Sequence, residues 1–167
     1  MPTTVEKELE LDIVNPPNAN AHWTNQDYQT GYQGVYRFTA SGDALLVFKS
    51  AIPKNLAGTP AWNLVIHHAG QGTSGRVLLH VSAQVFGSGD TAGAPTVIVP
   101  NRIVGYGASG DRNITVLSDT NFDSLLALSA GKSLVLNFRR IRNSVSGDTP
   151  FDPWDLTLPP VLRCDVT

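Results

Sequence analysis

The chain has 167 residues, a single cysteine at position 164, a formal net charge of −2 and only 16% charged residues. A chain of this length can bury roughly 70% of its unfolded surface in one core, and one cysteine excludes any intramolecular disulfide. The charge is too sparse for the clustered Lys and Arg of a phosphate-binding surface, which argues against nucleic acid, and no run approaches the ~18 uncharged apolar residues of a membrane span.

Met1 to Glu8 holds no apolar stretch of signal-peptide length, so a protein made and kept soluble in the cytosol is expected. From Val5 to Val14 the sequence alternates, with Val5, Lys7, Leu9, Leu11 and Ile13 on one side and Glu6, Glu8, Glu10, Asp12 and Val14 on the other. That period of two predicts a strand with one wet face. Asn15 to Asn20 contains Pro16 and Pro17, which remove backbone donors and fix φ, and reads as a hinge. Residues 1–20 are therefore expected to form an extended N-terminal arm and hinge, and residues 21–167 the folded domain. His22 to Gly34 is polar and aromatic without periodicity and reads as a surface loop.

Eight body strands are predicted, over Val35–Ala40, Ala44–Lys49, Trp62–His68, Arg76–Phe86, Thr96–Val99, Asn113–Leu117, Ser133–Ile141 and Pro160–Val166. Short β-rich runs separated by turn residues point to an all-β fold, an antiparallel β-sandwich of the jelly-roll kind. Ser-Gly-Asp occurs four times between apolar runs, at 41–43, 88–90, 109–111 and 146–148, and each is expected to make a hairpin or corner. Only Asp119 to Leu128 reads as a short helix, capped at Asp119 or Thr120, with Phe122, Leu125 and Leu126 at helical spacing.

Few residues suggest chemistry. His67 and His68 are adjacent in a strand, so they point to opposite faces and cannot share a metal ion, and no spacing motif recruits His80. No G-x-S-x-G elbow is present and Cys164 has no local signature, so neither catalytic residues nor a cofactor or metal site is expected. Glu6, Glu8, Glu10 and Asp12 line one face of the predicted arm, as solubility charges that discourage edge pairing or as a docking face for a basic partner. Trp23, Tyr28, Tyr32, Trp62, Tyr106 and Trp154 offer flat rings for sugar stacking. Trp62 opens an alternating strand and is expected in the core, whereas Trp23 and Trp154 lie in predicted loops. Asp152 to Asp155 resembles a calcium-holding loop but supplies only two carboxylates. Arg139, Arg140 and Arg142 form the basic cluster, read as pairing with loop aspartates such as Asp148 or Asp152, or as an intersubunit contact.

Several motifs in order carry a family resemblance: Phe48 to Pro53, the strand from Trp62, Val77 to Phe86 running into Gly89-Asp90, Ala130-Gly131 through Arg140, Asp148-Thr149, and the closing strand Val161–Val166. Over roughly Phe38 to Val166 the chain resembles a β-sandwich domain widespread in tailed-bacteriophage virion proteins. The long polar stretch Asn18 to Gly34 and the Pro-rich Thr149 to Pro160 depart from that pattern. The resemblance implies a structural part of a phage particle: a head decoration (cement) protein, a head fibre or a tail-associated module.

The N-terminal arm favours cement, because a β-competent segment freed by Pro16-Pro17 can add a strand to a neighbour. The expected mode of action is mechanical. A homotrimer at local threefold positions on the virion surface binds the major capsid protein and raises the barrier to shell rupture, with no membrane partner. Val5, Leu9, Leu11 and Ile13 on the arm, with Trp23 and Trp154, are the expected partner-binding residues. The alternatives are a carbohydrate- or receptor-binding module of a tail or head fibre, using Trp23 or Trp154, and a hydrolase whose carboxylates meet only in space.

Overall fold

The computed structural model describes residues 5–10, 12–14, 21–27, 32–39, 43–56, 62–70, 75–91, 94–107, 112–117, 130–141 and 153–167. These form twelve strands: β1 (Val5–Glu10), β2 (Asp12–Val14), β3 (Ala21–Asp27), β4 (Tyr32–Phe38), β5 (Ala44–Ala51), β6 (Trp62–Gly70), β7 (Gly75–Phe86), β8 (Thr96–Tyr106), β9 (Asn113–Leu117), β10 (Ser133–Ile141), β11 (Trp154–Leu156) and β12 (Val161–Val166). One sheet runs β1-β12-β6-β11-β4-β3, with β9 on β6, and the other runs β2-β5-β10-β7-β8. Every strand pair is antiparallel. The protein is an antiparallel β-sandwich, as its alternating sequence predicts.

Alternation builds the dry interior. Ala44, Leu46 and Phe48 on β5, Leu134, Leu136 and Phe138 on β10, and Val77, Leu79, Val81 and Ala83 on β7 are buried, while the residues between them are half-buried or exposed. They join Phe38, Trp62, Leu64, Ile66, Trp154, Leu156, Leu162 and Cys164 of the larger sheet in one cluster. β6 is buried along nearly its whole length because strands flank it on both sides: β9 on one, β11 and β12 on the other. β8 extends well past the expected Val99. Its register against β7 shifts around Val81, and such a bulge on a strand at the sheet's edge accommodates Pro100, which has no N–H to donate.

The first strand corrects the sequence reading. Residues 5–10 and 12–14, expected to belong to an extended arm, are paired within the sheets: β1 pairs with β12 of its own chain from Val5↔Val166 to Glu10↔Val161, and β2 pairs with β5 through Asp12↔Lys49, Ile13↔Phe48 and Val14↔Val47. β1 thus ends in one layer at Glu10, and β2 begins in the other at Asp12. A segment with one apolar side finds its own subunit's open edge before any neighbour's, since intramolecular pairing competes at high effective concentration. The hinge at 15–20 lies outside the described residues, as do the helix expected over 119–128 and the Ser-Gly-Asp at 109–111 and at 146–148.

His22 to Gly34 is a second correction. Instead of a surface loop, β3 and β4 pair from Ala21↔Phe38 to Asp27↔Tyr32. β3 pairs only with β4 among the described residues, and an edge strand tolerates the polar composition that hid it. β11 was also unforeseen, because Pro153 and Pro159-Pro160 bracket it with loop chemistry.

Three of the motifs behind the family resemblance, those at Ile52-Pro53, Gly89-Asp90 and Gly131-Lys132, meet at one end of the five-stranded sheet. The Gly131 N–H donates to the carbonyls of Ile52 (3.1 Å) and Pro53 (3.2 Å), and the Ile52 N–H donates to Lys132 O (2.8 Å). Asp90 accepts from the Gly87 N–H (2.6 Å) and pairs with Lys132 (3.4 Å). These motifs therefore build a corner of the scaffold.

Candidate functional site

Trp154 lies inside the sandwich. It is 0% exposed, packs against Phe38 with ring centroids 5.4 Å apart, and donates its indole N–H to His68 Nδ1 at 3.1 Å. With Nδ1 accepting, the His68 proton sits on Nε2 and is donated to Thr115 Oγ1, 2.8 Å away. This buried relay ties β11, β6 and β9 together. Burial, with a smaller contribution from the charge of His67, lowers the His68 pKa to about 4. The expectation that Trp154 presents a ring in an open loop therefore fails, and so does any binding role that needs its surface.

Trp23 is placed differently. It stands opposite Tyr36 in register, and Tyr36 in turn stands opposite the buried Leu156, so the pair shares the inward side of the larger sheet. Ala21, two residues earlier on the same side, is buried, whereas Trp23 is 57% exposed. The indole meets Tyr36 edge-on at 5.0 Å and 61°, and Tyr36 meets Phe48 of the facing layer at 6.2 Å. A Cβ at Gly34 would lie 2.1 Å from the indole Cζ2, so the ring fills the space that a side chain at 34 would take.

Of the arm residues, Leu9 is buried in the core and its neighbour Glu8 is exposed, paired with Arg163 at 2.8 Å. Val5 stands opposite Val166 and Ile13 opposite Phe48, and Leu11 lies outside the described residues. Leu9 is thus committed to its own subunit and is not free to bind a partner.

Sequence reasoning missed another surface. Ile114 is 66% and Val116 52% exposed on β9, and Val97 and Ile103 are exposed on β8. Among the described residues β9 pairs only with β6 and β8 only with β7. The inward row of β9 is Asn113, Thr115 and Leu117: Leu117 is buried in the core and Thr115 accepts the imidazole proton of His68, which leaves Ile114 and Val116 on the outward side. Val116, Val65 and Val161 form one outward row across three strands. Alternation alone places Ile114 and Val116 in the core. Only the identity of His68 as an inward residue signals the reversal.

The arginines divide. Arg139 pairs with Asp43 on the surface, whereas Arg140 is fully buried between the layers, where it donates to the Phe38 carbonyl at 3.4 Å. Arg142, Asp148 and Asp152 lie outside the described residues. Asp155, completely buried, accepts two hydrogen bonds from Arg37, at 2.8 and 2.9 Å. Among the described residues no group of three or more His, Cys, Asp or Glu side chains is placed to hold a metal ion.

No protein-family model matches the sequence, and no curated protein matches it. Three solved structures are similar in architecture. TmCBM61 in complex with β-1,4-galactotriose has a TM-score of 0.45 and 9% identity, covering 94% of this chain and 86% of that one. The family 11 carbohydrate-binding module from Clostridium thermocellum, in complex with a β-1,3-1,4-mixed-linked tetrasaccharide, has a TM-score of 0.42 and 7% identity, covering 96% and 87%. A chain of infectious bursal disease virus, Gx strain, has a TM-score of 0.41 and 12% identity, covering 98% of this chain and 36% of that one. None of the three is near enough for a shared family to follow.

Proposed function

We propose that this protein is a non-catalytic structural subunit of a virus particle, a decoration protein that binds the outer surface of a phage capsid and bridges its major capsid subunits. A trimer at local threefold positions is the assembly this reading expects. The observation that supports it is the outward apolar side of β9, where Ile114 and Val116 stand exposed on a strand with no partner beyond β6 among the described residues. Exposed branched aliphatic side chains at a sheet edge suit the docking of another polypeptide by strand addition and apolar burial. This role moves from the N-terminal segment, which is engaged within the subunit, to β9.

The test is cosedimentation of the purified protein with heads of the phage whose genome encodes it, with light scattering to count subunits. Wild type is expected to sediment with the heads at a saturating ratio. The double change Ile114→Lys and Val116→Lys should alter unfolding free energy by about 1 kcal/mol or less, since both sites are exposed, yet abolish sedimentation. Wild type that stays in the supernatant, or a double variant that sediments equally well, contradicts the reading.

A further inference from the structure

We infer that Trp23, mounted on Gly34 and Tyr36, is a stacking platform for a neutral saccharide. The inference is independent of capsid docking and uses a different edge of the sandwich. Three observations carry it.

The first is exposure in a molecule that hides its other indoles. Trp62 and Trp154 are 1% and 0% exposed, whereas Trp23 is 57% exposed. The second is the mounting. Gly34 leaves a gap on β4 that the six-membered ring of the indole fills, and Tyr36 abuts the ring at 5.0 Å. Tyr36 is itself held by Phe48, and Phe48 by Phe138, each in a T-shaped contact at 6.2 Å. The ring is therefore anchored to both layers, so little conformational freedom is lost when a ligand settles on the side turned away from Gly34.

The third observation is chemical. By register, positions Trp23, Asn25 and Asp27 of β3 share one side of the sheet with Tyr32, Gly34 and Tyr36 of β4, a row with aromatic, amide and carboxylate residues and no Lys or Arg. The C–H face of a pyranose stacks on an indole, and its hydroxyls take up amide donors and acceptors. A phosphate or a polyacid would need cations, and the one arginine of these two strands, Arg37, stands on the other side of the sheet and is paired with Asp155.

Trp23 also supplies the readout, because it is the one strongly exposed tryptophan of the three. The intact protein is titrated with neutral hexasaccharides of β-1,4-glucan, β-1,4-galactan, β-1,4-mannan and β-1,4-xylan, following tryptophan emission and its quenching by acrylamide. At least one sugar is expected to shift the emission to shorter wavelength and protect it from the quencher. Trp23→Ala should weaken that sugar's binding at least about tenfold, and Trp23→Tyr should retain part of it. Gly34→Ala keeps the indole but dislodges it, and should lose affinity while its far-ultraviolet spectrum stays that of the wild type. No response to any of the four sugars overturns the inference, as does undiminished binding by Trp23→Ala. If Trp23→Ala lowers sedimentation with capsids and no sugar responds, the ring is a protein contact and the inference fails while the capsid reading stands.

Discussion

At the scale of single residues, the interior is held by polar groups in sequence-specific pairs as well as by aliphatic packing. His68 accepts from Trp154 and donates to Thr115, which works only for a neutral imidazole. The folded protein therefore resists protonation there down to about pH 4, whereas the unfolded chain takes the proton near 6.5. The sign follows: the contribution is complete above about pH 6.5, declines as pH falls to about 4, and is constant below that. The full loss is about 3 kcal/mol on the scale of 1.36 kcal/mol per pKa unit. Urea unfolding from pH 7.5 to 4 should show this decline in the wild type, and it should be largely missing from His68→Gln. Equal slopes in both proteins would refute the relay. Reading the sequence placed His67 and His68 on opposite faces, which is correct, since strand geometry allows nothing else. It could not tell that Trp154 is the partner of His68, because the two are 86 residues apart and meet only in the sheet.

Among the elements, the strands with strict alternation were legible, and those governed by neighbours were not. β5, β7 and β10 announce themselves because each buries every second residue against the facing layer. β3 carries its polarity at an edge, β11 is three residues long between prolines, and β9 turns Ile114 and Val116 outward, which its sequence does not show. Turn chemistry was read correctly where it can be checked. Ser88-Gly89 forms a turn closed by the Asp90 N–H to Gly87 O at 3.2 Å, with Gly89 at φ 81°. Gly131 has φ 74° in the turn two residues before β10 and is bonded to Ile52 and Pro53. An alanine there must hold a left-handed conformation and press its Cβ to 3.1 Å from Lys54. Gly131→Ala should therefore cost about 1–2 kcal/mol in unfolding free energy, read as a lower urea midpoint at unchanged slope. A midpoint equal to the wild type's would mean that the corner does not need its glycine.

For the whole molecule, the two ends of the chain carry unequal weight although they lie side by side. β1 is an edge strand: it pairs with β12 alone among the described residues and brings Leu9 to the core. β12 lies between β1 and β6 and brings Leu162 and Cys164, so it completes the pairing of both neighbours. The sequence reading treated the N-terminal residues as a free arm, and on that view their removal would leave the fold untouched. With β1 in the sheet, a chain lacking residues 1–10 should still fold but unfold at lower urea, by at least the ~2–5 kcal/mol typical of truncating one buried leucine. A chain lacking residues 161–167 should not fold at all, because β6 then loses its ladder from Trp62 to Val65 and the edge next to it is left open. Far-ultraviolet circular dichroism with urea titration of the two truncations separates the cases. Wild-type stability after loss of residues 1–10 would restore the free arm, and with it the strand-exchange route to a capsid partner. The expected loss would leave β9 and Trp23 as the two surfaces proposed to meet other molecules.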